Sequence, residues 1–296
     1  MKAVFHLPGL FEFIDLYRAF LPLYSRNRDW FYDFCEIGSL YGAPADCLWG
    51  GGRVGFGEAR ARDALALTRD FGLSARLTFS NSLLRKEHLS DATCNALCKL
   101  FEHGGTAQSG VIVASDLLLR YLQKRYPGFY FVSSTTKVLT DFSALERELE
   151  RAEFRYVVPD FRLNREFTRL NALSDARKRK VEFLCNECCW FLCPERKLCY
   201  EAVSRKSLGE DAEHICASPT AHRGYRFSDA MRNPGFIGIG DIQNRYLPSG
   251  FSQFKLEGRS LGSAVILEML LYYLTKPEFQ LRVREEIYLD SALDLF

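Results

Sequence analysis

The stretch Val111-Ile-Val-Ala-Ser-Asp-Leu-Leu-Leu-Arg-Tyr-Leu-Gln-Lys-Arg-Tyr-Pro-Gly-Phe-Tyr-Phe-Val132 decides the fold. Two short apolar runs, 111–114 and 130–132, are rich in β-branched and aromatic residues and flank a helical pattern over about 117–126. Strand, helix and strand in that order form the unit of a parallel sheet, because parallel strands need a long crossover and a helix supplies it. The same alternation extends in both directions. Further strand runs fall at 3–7, within 34–49, and at 75–79, 155–158, 181–184 and 253–256. Helical patterns lie at about 10–24, 58–71, 91–103, 142–151, 165–172, 196–204 and 261–274. The eight strands predict an α/β protein, a single eight-stranded β/α (TIM-type) barrel over residues 1–296 with some irregularity. Residues 185–235 form a Cys-rich metal-binding excursion after strand seven. The competing open, doubly wound sheet has no glycine-rich dinucleotide fingerprint in this chain.

Composition agrees with a folded chain: 47% of residues are hydrophobic and 26% charged, which supplies a large core and gives no sign of disorder. The 39 basic and 37 acidic residues leave a net charge of only +2, so no global field favours nucleic acid or anionic lipid. The longest apolar stretch, 264–274, contains Glu268 and is too short to span a bilayer, so no membrane span is expected. The N-terminus has no long apolar segment or small-residue cleavage site, which predicts a cytoplasmic protein whose ten cysteines are mostly reduced.

A barrel of this kind carries its chemistry where strands end and the following loops begin. Polar residues gather at those ends: His6, Ser80 to Ser82, Ser115 and Asp116, Ser133 to Lys137, Asp160 and Arg162, Asn186 and Glu187, and Glu257 and Arg259. The cysteines share that place. Six of the ten lie between Cys185 and Cys216, and thiolates crowded so closely repel one another unless a metal or cluster takes up their charge. Cys189, Cys193, Cys199 and Cys216 are the predicted ligand set, as cofactor-binding and metal residues together, although their spacing matches neither a paired zinc ribbon nor a compact ferredoxin run. Cys185 belongs to the strand and Cys188 stays in reserve. Cys35, Cys47, Cys94 and Cys98 read as core packing, the last two sharing one helix face.

Glu257 and Arg259 are two apart and share a face of an extended chain, where they either hold a substrate or close the barrel as an ion pair. Asp160 and Arg162 likewise share a face if their strand continues. Glu187 is a supporting acceptor, a ligand or an acid/base. Weaker features have ordinary explanations. Trp49-Gly-Gly-Gly-Arg53 reads as a flexible turn, Ser133-Ser-Thr-Thr-Lys137 as a helix entry, Arg177-Lys-Arg-Lys180 as a solvated helix end, and His6 as a satisfied core residue.

The segment Phe254-Lys-Leu-Glu-Gly-Arg259, with its lead-in Gly240-Asp-Ile-Gln-Asn-Arg-Tyr-Leu-Pro-Ser-Gly-Phe-Ser252, resembles the Lys-Ile-Glu-Gly-Arg signature of the collagenase-like peptidase family. That resemblance covers roughly the last third of the chain. It implies a barrel enzyme with a [4Fe–4S] cluster on four cysteines, acting on a small organic or nucleobase substrate by redox chemistry such as oxygen-independent hydroxylation. Glu257 and Arg259 carry over by motif as catalytic residues, with Glu187, Asp160 and Arg162 beside them. The four cysteines carry over by analogy, because Cys185-Asn-Glu-Cys188 replaces the family's His-Gly. The alternative is a zinc-stabilised barrel that serves as a binding or assembly component, with a protein partner or a second copy of itself.

Overall fold

A computed structural model describes residues 1–51, 61–219 and 221–293. Gly52 and Arg53 of the glycine loop lie outside the described residues. Eight strands run in parallel: β1 (Ala3–Pro8), β2 (Cys35–Gly42), β3 (Ser74–Phe79), β4 (Gly110–Val113), β5 (Tyr130–Ser133), β6 (Phe154–Val157), β7 (Glu182–Leu184) and β8 (Gln253–Lys255). Their order around the sheet is β6-β5-β4-β3-β2-β1-β8-β7. The remaining edges meet through one parallel bridge between Val157 and Val181, with the Val157 N–H donating to Lys180 O at 2.8 Å. The architecture is the expected TIM-type barrel, nearly closed. Closure is thin because β7 is only three residues long and offers little ladder to β6.

The helix Asp116–Arg125 shows why the sequence folds as it does locally. Ser115 caps it by accepting from the Leu118 N–H at 3.3 Å, Asp116 opens the first turn, and Lys124 and Arg125 close the last, each charge complementing the helix dipole. Leu118, Leu119 and Leu122 form its buried stripe. Replacing Leu122 by Ala removes the centre of that stripe and costs about 2–5 kcal/mol. Helical features differ from expectation at both ends of the described barrel. The first helix begins at Ile14, since Gly9 at a φ of +82° makes a tight turn after β1, and a further helix spans Gln280–Leu293. No helix among the described residues is long and apolar enough to cross a membrane.

Both faces of the strands are buried, so each strand divides its side chains between two cores. Val111, Val113, Phe131, Phe183 and Phe254 pack outward against helices. Tyr41, Ile112, Tyr130, Val132, Val158 and Leu184 fill part of the interior. The rest of the interior is polar: His6, Ser39, Arg76, Glu182, Gln253 and Lys255 are all buried there, the last two flanking the outward Phe254. That polar layer carries the site.

Candidate functional site

The layer beneath the rim is organised around a single carboxylate. Glu182 Oε2 accepts from Arg76 Nη1 at 2.6 Å, and Arg76 Nε donates to Tyr130 Oη at 2.8 Å. Burial alone pushes the Glu182 carboxyl up, but Arg76 and the other cationic neighbours outweigh it and hold the group at about 2. His6 bonds Ser39 Oγ at 2.9 Å and Gln253 Oε1 at 3.0 Å. Burial, with Arg76 beside it, drives the imidazole down to about 3, so His6 is neutral at physiological pH and is the satisfied core residue expected of it.

Lys255 stands one step closer to the rim. Its Nζ lies 3.9 Å from Glu182 Oε1 and 3.9 Å from the centroid of the Tyr41 ring, both longer than a hydrogen bond. Burial lowers its ammonium to about 7; Glu182 opposes the shift, while Arg76 and Arg259 add to it.

Above Lys255 opens a cavity of about 60 Å³, lined by Lys255, Glu257, Arg259, Glu187, Tyr200 and hydroxyl groups from β3 and the loops after β3 and β5. Arg259 Nη1, Thr78 Oγ1 and Thr135 Oγ1 are buried without a hydrogen-bond partner among the described residues. Buried polar atoms of that kind are rare in native proteins and call for a specific cause. β8 ends at Lys255, so Glu257 and Arg259 reach the cavity from the loop beyond it. Asn186 fixes that loop: its Oδ1 accepts from the Glu257 N–H at 2.7 Å and its Nδ2 donates to the Glu257 carbonyl at 3.0 Å. Gly258 is required by close approach, since a Cβ there would come within 2.2 Å of Ile266 Cδ1 and 2.8 Å of Pro8 Cγ.

Beside the cavity is a second pocket, of about 320 Å³, lined by Cys188, Cys189, Cys193, Cys199 and Cys216. Tyr200 borders both. None of the ten cysteines is in a disulfide, and Cys185 is buried in the helix-facing core. Burial pushes the Cys189 thiol up to about 12, with Arg196 pulling the other way. The pocket's wall is held by charge. Arg196 Nη2 donates to Glu187 Oε2 at 2.5 Å, and Glu187 Oε1 accepts from the Cys189 N–H at 2.9 Å. Glu187, Cys188 and Glu257 also bring potential ligand atoms within 4.8 Å of one another.

The structure therefore divides the five acid and Arg candidates. Glu257, Arg259 and Glu187 line the small cavity, whereas Asp160 and Arg162 do not. β6 ends at Val157, and Asp160 caps the 3-10 turn Phe161–Leu163, so the strand does not continue as the alternation required. Asp160 instead holds Arg162 Nε at 2.6 Å and Arg196 Nε at 3.3 Å, and Arg162 Nη1 donates to Cys193 O at 3.0 Å. The pair anchors the Cys-rich excursion to the barrel. Lys137 pairs with Glu148 at 2.5 Å, and its neighbours Ser134, Thr135 and Thr136 line the cavity as part of a turn capped by Ser134.

Sequence reasoning passed over Lys255, Arg76 and Glu182. The signal was present, because charged residues inside apolar strand runs of a barrel have only the interior to face, and Lys255 shares the alternation of Glu257 and Arg259. Arg196 and Tyr200 had no such signal, since their role depends on how the excursion folds back.

No family model matches the sequence, and no curated protein does. Among solved structures the chain is similar to the U32 peptidase Mk0906, with a TM-score of 0.50 at 14% identity, covering 86% of this chain and 92% of that one. A likeness at that identity speaks for the barrel fold alone.

Proposed function

We propose that this chain is an iron–sulfur barrel enzyme in which Cys189, Cys193, Cys199 and Cys216 hold a [4Fe–4S] cluster beside the rim cavity. The substrate is a small organic molecule, a nucleobase among the candidates, and the reaction is redox chemistry such as oxygen-independent hydroxylation. One observation carries the reading: five cysteines outside any disulfide, drawn from a 29-residue span, 188–216, line a single pocket that shares Tyr200 with a polar cavity at the end of the barrel where the strands finish. The donor set fits the group, because soft thiolates suit iron–sulfur clusters and their mutual repulsion needs a cation to offset it. When bound, such a cluster supplies one-electron transfer at the cavity's edge. The protein's own residues do the rest. Asp160, Arg162, Arg196 and Glu187 fix the loop that bears the thiols, while Lys255, Glu257 and Arg259 present polar groups to whatever enters the cavity.

Anaerobic purification followed by iron, sulfide and zinc analysis tests the reading. A brown protein is expected, with iron lowered by changing any one of the four cysteines to Ser and unaffected by Cys94→Ser, whose side chain is buried against Cys47 at 3.5 Å. Colourless protein with stoichiometric zinc overturns the cluster in favour of a zinc-stabilised barrel.

A further inference from the structure

We infer that the rim cavity binds a small 2-oxo carboxylate and that Lys255 Nζ condenses with its carbonyl group. This stands on the cavity and its lining and does not require a cluster in the neighbouring pocket. Lys255 reaches the cavity from the last residue of β8, and no hydrogen bond fixes its amine among the described residues, where its near contacts are Glu182 and the Tyr41 ring. An amine so placed is free to turn toward a bound molecule. Arg259 lines the same cavity with a buried Nη1 that has no partner among the described residues, and a planar guanidinium is the side chain best matched to a carboxylate. The unpartnered hydroxyls of Thr78 and Thr135 add donors on the opposite side, from β3 and from the loop after β5.

Size narrows the class further. The cavity holds only about 60 Å³, so a ligand that gives a carboxylate to Arg259 and a carbonyl to Lys255 is a short one that seats little more than these two groups inside, as in a 2-oxo acid.

The chemistry balances without an oxidant or reductant. The neutral amine adds to the carbonyl carbon, the carbonyl oxygen leaves as water, and a C=N bond replaces C=O. The charged and titratable groups facing Lys255 are Glu182 from β7, His6 from β1, Arg76 from β3, Tyr41 from β2, and Arg259 and Glu257 from the loop after β8. Glu182 is already bonded to Arg76 and lies 3.9 Å from the amine, and the two guanidinium groups with burial favour the neutral, nucleophilic form near neutral pH. Glu257 lines the same cavity and is placed to pass a proton to the departing hydroxyl.

Reductive trapping tests the inference. The full chain is incubated with pyruvate and cyanoborohydride at neutral pH, and the adduct is located by intact mass and peptide mapping, with iron content measured on the same sample. One adduct per chain at Lys255 is expected, absent from Lys255→Met and slowed by lactate, which has the carboxylate but no carbonyl. Arg259→Lys keeps the charge and loses the fork, and should need ~10-fold more pyruvate for half-maximal trapping. Label spread evenly over surface lysines and unchanged in Lys255→Met overturns the inference, and so does an unchanged half-saturation in Arg259→Lys. Loss of iron with trapping intact would refute only the cluster.

Discussion

Glu182→Gln removes the one carboxylate that balances Arg76 and Lys255 inside the barrel. The carboxyl is fully buried, and the drop from its ordinary value of 4.5 to about 2 corresponds to roughly 3 kcal/mol of stability at neutral pH, at about 1.4 kcal/mol per pH unit. Breaking a buried pair by removing one partner costs about 3–5 kcal/mol in general, because the other charge stays in the low-dielectric interior, and Arg76 is only 1% exposed. The two routes agree. The sign follows from the depressed value: the unfolded chain takes up its proton near 4.5 and the folded chain only near 2, so the stabilisation is complete above 4.5 and is lost as pH falls through that window. Urea unfolding of the native protein and Glu182→Gln across pH should therefore show a gap of ~3 kcal/mol at neutral pH, with equal slopes, that narrows below pH 4.5. A variant within ~0.5 kcal/mol of the native protein at neutral pH, or a gap that does not narrow in acid, refutes the account of Glu182 as the balancing charge.

Lys255 should behave in the opposite sense. Between its ordinary 10.5 and about 7 the unfolded chain binds a proton that the folded chain does not, so the residue's cost grows as pH falls through that range. Thermal melts of Lys255→Met should show a variant more stable than the native protein at neutral pH by ~2–4 kcal/mol, with the advantage fading toward pH 10; a less stable variant contradicts this. Asp160→Asn leaves Arg162 and Arg196 without their shared carboxylate, and limited proteolysis should cut within 188–216 faster than in the native protein, with ~2–4 kcal/mol lost from stability. Gly258→Ala forces a methyl against Ile266 and Pro8 and should cost ~1–3 kcal/mol in thermal unfolding while weakening pyruvate trapping, because Arg259 moves with the loop.

The barrel is legible in the chain's own pattern of residues. Apolar strand runs alternating with amphipathic helices leave little choice of architecture, and seven of the eight observed strands fall within a residue of their expected bounds, the second, Cys35–Gly42, lying inside the broader span 34–49. Chain order also put Glu257 and Arg259 at the end of the last strand and crowded the cysteines after the seventh; the structure ends β8 at Lys255 and holds both residues in the loop beyond it. The division of labour among the charged residues is set instead by contacts between distant parts of the chain. Asp160 and Glu187 look alike in sequence, two acids after neighbouring strands, yet Asp160 is turned into a 3-10 cap beneath Arg162 and Arg196 while Glu187 borders the cavity. The pairing of Arg76 with Glu182 spans 106 residues of chain, and no local pattern encodes a contact at that distance. The lowered Lys255 amine arises in the same way: its burial, and the approach of Glu182 and Arg76 from other strands, come about only when the sheet curls round and the interior closes over them.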